Sequence, residues 1–65
     1  MDEMEAEATV ARADALNALG RYDEALRLVS PILAADAEHL GAGLTAAVAL
    51  INLRREAEAD DAPVA

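Results

Sequence analysis

The run Leu19-Gly20-Arg21-Tyr22-Asp23-Glu24-Ala25-Leu26 constrains this chain most, because it holds a helix stop, a tight turn and a helix start in eight residues. Leu19 closes a helical apolar pattern. Gly20 is free to enter the left-handed region that ends a helix, and Asp23 is placed to cap the next one. Two helices therefore meet in a hairpin here, with small Ala25 where they approach closely.

The chain has 65 residues, enough for one domain with a small core. It has no Cys, so no disulfide can compensate, and no Phe or Trp, leaving Tyr22 as the sole aromatic. The core must come from Leu, Ile, Val and abundant Ala, which suits closely packed helices and has the best helix propensity. Thirteen acidic residues against five basic ones, all Arg, give a formal charge of −8. That balance disfavours nucleic acid and anionic membrane surfaces, both of which require cations to neutralise phosphate. No apolar run approaches the roughly 20 residues of a membrane span. The start, Met1-Asp2-Glu3-Met4-Glu5, is acidic where a signal peptide is basic. The simplest expectation is a soluble cytoplasmic protein, read as intact rather than as a fragment of a longer array.

Three helices are expected. The first runs from Asp2 or Glu3 to Leu19, its acidic first turn complementing the helix dipole. Met4, Ala8, Ala11, Ala15, Leu16, Ala18 and Leu19 spread over a broad apolar face, and Glu3, Glu7, Val10, Asp14 and Asn17 form a strip elsewhere. The second runs from Asp23 to Ala35 or Asp36. Its stripe is Ala25, Leu28, Val29, Ile32 and Leu33, flanked by Tyr22 and Leu26, with Arg27, Ser30, Pro31 and Ala34 opposite. Pro31 either bends a continuous helix on its solvent side, the favoured reading, or starts a separate short helix capped by Ser30.

The third helix starts between Glu38 and Gly41 and ends near Glu58. One apolar face carries Leu40, Leu44, Ala47, Val48 and Ile51; another carries Ala42, Ala46, Ala49, Leu50, Leu53 and Ala57. Thr45, Asn52 and Glu56 make the polar seam. A helix apolar on two sides expects two packing partners, and the first two helices supply only one. Residues 59–65 lack periodicity and are expected to form a disordered acidic tail after a three-helix domain over 1–58.

The turn residues Gly20, Tyr22, Asp23, Glu24, Ala25 and Leu26 resemble the turn of a tetratricopeptide repeat (TPR), a 34-residue helical hairpin of protein-binding arrays. In that register one unit covers Ala6 to His39, and the first-helix half of another covers Leu40 to Leu53. Ala13, Leu16 and Leu19 fit the pattern, as do Ala46, Ala47 and Leu50. Thr9 and Gly43 replace aromatics, Arg12 replaces Leu, and Ala37 replaces the inter-repeat proline. The resemblance implies an all-α fold of right-handed α-solenoid type: a TPR-like hairpin plus one additional helix.

It also implies a ligand groove lined by Glu7, Val10, Asp14 and Asn17, then Gly41, Leu44, Val48, Ile51 and Asn52. A basic peptide or an amphipathic helix with apolar anchors suits that surface. An acidic peptide terminus does not, because Asp14 stands at one clamp-type Asn position without a basic companion. One and a half repeats are fewer than an array usually needs. Three explanations follow: dimerisation, docking on a larger protein, or a longer array. Two-fold self-pairing through Leu44, Val48, Leu50, Ile51 or Leu53 is the first choice. The alternative is a small accessory or chaperone-like subunit that docks on a larger enzyme or secretion complex.

Catalytic and metal chemistry has little to stand on. A metal needs three or four converging ligands, and His39 is the only histidine. Ser30 has no base at useful spacing. Glu3, Glu7 and Asp14 share an open strip with nothing apolar to perturb them. Gly41-Ala42-Gly43 lacks the strand and Lys of a phosphate loop. The expectation is a non-enzymatic interaction module with no cofactor, metal or catalytic residue.

Overall fold

The computed structural model describes residues 2–61, and these form three helices: α1 (Glu3–Ala18), α2 (Tyr22–Ala35) and α3 (Leu40–Asp61). No strand occurs among the described residues. All three helices pack on one another, and the molecule is elongated, with extents of 50 × 21 × 14 Å.

The hairpin forms as its sequence dictates. Gly20 sits at φ 80°, Arg21 N–H donates to the Leu16 carbonyl at 2.9 Å, and Gly20 N–H donates to the Asn17 carbonyl at 3.0 Å. These paired bonds satisfy carbonyls that a helix end otherwise leaves open. The expected cap at Asp23 is corrected. α2 begins at Tyr22, its N-cap Arg21 makes no side-chain bond, and Asp23 lies inside the first turn, 3.6 Å from Arg27 one turn on. Asp2 caps α1 by accepting from Met4 N–H at 3.3 Å.

α2 is continuous through Pro31, which lies exposed. Ser30 Oγ donates to the Leu26 carbonyl at 2.6 Å one turn back. The expected inward stripe is observed: Ala25, Val29 and Ile32 are buried, and Leu28 and Leu33 are half-buried. The link to α3 is a compact turn. Asp36 Oδ1 accepts from Glu38 N–H at 3.1 Å, and His39 Nδ1 accepts from Ala42 N–H at 3.1 Å, so His39 caps α3.

The orientation of α1 differs from the wheel. Ala6 and Ala13 are buried, with Val10 and Leu16 packed beside them, whereas Met4, Ala8, Ala11, Ala15, Ala18 and Leu19 are exposed. The helix is too alanine-rich for its apolar contrast to define a face; Ala6 and Ala13 join a core built from both α2 and α3. The polar seam of α3 is corrected in the same way. Thr45 is 3% exposed and turns toward α1, where Asp14 and Asn17 satisfy it. One residue of the α3 seam, Thr45, thus pairs with the polar strip of α1. α3 also runs to Asp61, past the expected end at Glu58; the last part of the expected tail, 62–65, lies outside the described residues.

The core is small-sided: Ala6, Ala13, Ala25, Ala42, Ala46 and Ala49 join Val29 and Ile32 as its buried apolar residues. Alanine lets the helix axes approach but removes little apolar area from water per residue.

Candidate interaction surfaces

Two adjoining surfaces meet at the N-terminal end of α3. The first is the outward side of that helix. Because Ala42, Ala46 and Ala49 turn into the core, helical geometry places Leu40, Leu44, Val48 and Ile51 on the far side. They are 81%, 69%, 46% and 57% exposed, in that order, and Ala47 is exposed between them. Leu50 is exposed on one flank. Leu53 is half-buried on the same side of the helix as Ala46 and Ala49, which separates it from the stripe. The row is a contiguous exposed aliphatic patch rather than scattered single side chains, and so a candidate contact surface.

The second surface is an open groove of about 610 Å³ between α1 and the start of α3. Glu3, Glu7, Asp14, Asp36 and Glu38 supply its carboxylates, and Val10, Ala11, Leu40 and Gly41 its apolar lining. No Arg lines it. His39 is set into the wall with its side chain 12% exposed, and its Nε2 lies 3.3 Å from Glu3 Oε1, close but not aligned as a hydrogen bond. Because Nδ1 accepts the Ala42 bond, the neutral ring carries its proton on Nε2.

The four α1 residues expected in a binding groove divide by role. Glu7 is exposed on the rim and Val10 is half-buried facing Gly41. Asp14 Oδ1 accepts from Thr45 Oγ1 at 2.6 Å, and Asn17 Nδ2 donates to the Thr45 carbonyl at 3.2 Å. Asp14 and Asn17 therefore hold α1 to α3, and Asn17 Oδ1 is buried without a partner among the described residues. On α3, Asn52 Nδ2 donates to the Val48 carbonyl at 2.8 Å.

Asp36, Glu38 and His39 were missed as groove residues because the helical wheels stop short of the inter-helix turn. Their signal was the spacing: Asp36 two residues before Glu38, and His39 three before Ala42, are turn and cap positions.

Among the described residues no three His, Cys, Asp or Glu side chains converge as a metal site, and no helix is long and apolar enough to cross a membrane. Comparison with known proteins gives no matching family model, no matching curated protein and no matching solved structure.

Proposed function

We propose that this chain is a non-enzymatic protein–protein interaction module of TPR type that self-associates through α3. The observation that carries the reading is the free stripe Leu40, Leu44, Val48 and Ile51 on a helix whose opposite side is already buried. Covering a side chain that is about half in water contributes about 1 kcal/mol. Four such residues from each of two copies therefore give a gross gain within the range of the association cost, about 4–15 kcal/mol. A reversible dimer is the expected product.

Support for the repeat assignment comes from the Gly20 turn and the α1–α2 hairpin, with a third helix packed against both. In a solenoid of this type α3 would open the next unit. Light scattering on a size-exclusion column, with Leu44→Asp as control, tests the reading: self-association predicts a dimeric wild type and a monomeric variant.

A second reading is favoured by the groove, whose carboxylates and Val10–Leu40 lining suit a basic amphipathic segment of a larger protein. An accessory subunit of that kind would fold poorly alone and recover helix on co-expression with its partner.

A further inference from the structure

We infer that the occupant of the α3 stripe is a second copy of this chain lying antiparallel, with Arg55 of each copy at the mouth of the other's acidic groove. The inference rests on the self-association reading and adds orientation and a trans ion pair to it. Leu40, Leu44, Ala47 and Ile51 recur at spacings of four, three and four, the pattern of a two-helix seam. The midpoint of that seam falls between Leu44 and Ala47. From there Arg55 lies about 14 Å along the helix, at about 1.5 Å per residue. Toward the other end α3 begins at Leu40, about 8 Å from the midpoint at that rise, so the same distance runs past the helix start, on the side of the preceding turn whose Asp36 and Glu38 line the groove. In an antiparallel pair those two points coincide.

Sidedness agrees. Counting about 100° per residue, Arg55 and Val48 fall on the flank of the seam that turns toward Gly41 and α1, where the groove is. A two-fold axis perpendicular to antiparallel helices keeps that flank of each copy on the same side. Arg54 falls on the opposite flank and is already paired with Glu58 at 3.1 Å. No ion pair among the described residues includes Arg55. A parallel pair would instead leave each Arg55 at the opposite end of the seam from the partner's Asp36 and Glu38, with no ion pair between them.

The test is sedimentation equilibrium of the full chain, with circular dichroism on every sample. Arg55→Glu should weaken the dimer about tenfold or more, since two ion pairs become repulsive contacts. Arg54→Glu should do markedly less, and adding Glu38→Arg to Arg55→Glu should recover most of the loss. In parallel, an equimolar mixture of Leu40→Cys and Ile51→Cys chains, otherwise free of cysteine, should oxidise to the mixed disulfide. A dimer indifferent to Arg55→Glu, or self-linked products from each cysteine variant, overturns the antiparallel arrangement while leaving self-association standing. A wild type that is monomeric at every concentration overturns both.

Discussion

At Gly20 the backbone stands at φ 80° with open space where a Cβ would project. Any cost of Gly20→Ala is therefore conformational, and the variant should lose about 1 kcal/mol of stability in urea unfolding. Gly43 gives the opposite case. It lies within α3 with an ordinary helical backbone, and nothing lies within 4 Å of an added Cβ. Gly43→Ala should gain about 0.5–1 kcal/mol in the same assay. A third residue-scale test concerns the α1–α3 contact. Thr45→Val keeps the shape of the side chain but removes the 2.6 Å bond to Asp14, whose carboxylate then turns to water. The expected loss is about 1 kcal/mol, and a variant as stable as wild type would show that this bond contributes nothing net to the α1–α3 contact.

Each helix carries its own lesson about legibility. The inward face of α2 was readable because Val29 and Ile32 contrast with Arg27, Ser30 and Pro31. Pro31 deletes the bond to the Arg27 carbonyl within an unbroken helix, so Pro31→Ala should raise the melting temperature, by about 4–8 °C for each kcal/mol recovered. A lower melting temperature would mean that the proline's fixed backbone geometry is needed for packing. In α1 alanines stand on two opposite sides, so position in the wheel does not choose between them, and Ala6 and Ala13 are the ones that join the core formed with α2 and α3. The two-faced character of α3 was legible, and Leu44, Val48 and Ile51 are exposed on one side with Ala42, Ala46 and Ala49 buried on the other. The facing of Thr45 was not, because a wheel cannot distinguish a strip that meets water from one that meets another polar strip. The same limit hid the roles of Asp14 and Asn17, which are spent on Thr45.

For the whole molecule, an alanine core leaves most of the large aliphatic side chains of α3 in water. A second layer on that face would supply apolar burial that the three helices lack by themselves. Stability should then depend on concentration, and Ile51→Asp should remove that dependence while lowering the melting temperature at high concentration. The most direct measurement is light scattering coupled to size-exclusion chromatography across a wide dilution range, with circular dichroism on the same fractions. The prediction is a mass of twice 6.8 kDa at high concentration that falls to 6.8 kDa, with loss of helix, on dilution. A fully helical species fixed at 6.8 kDa throughout would contradict it.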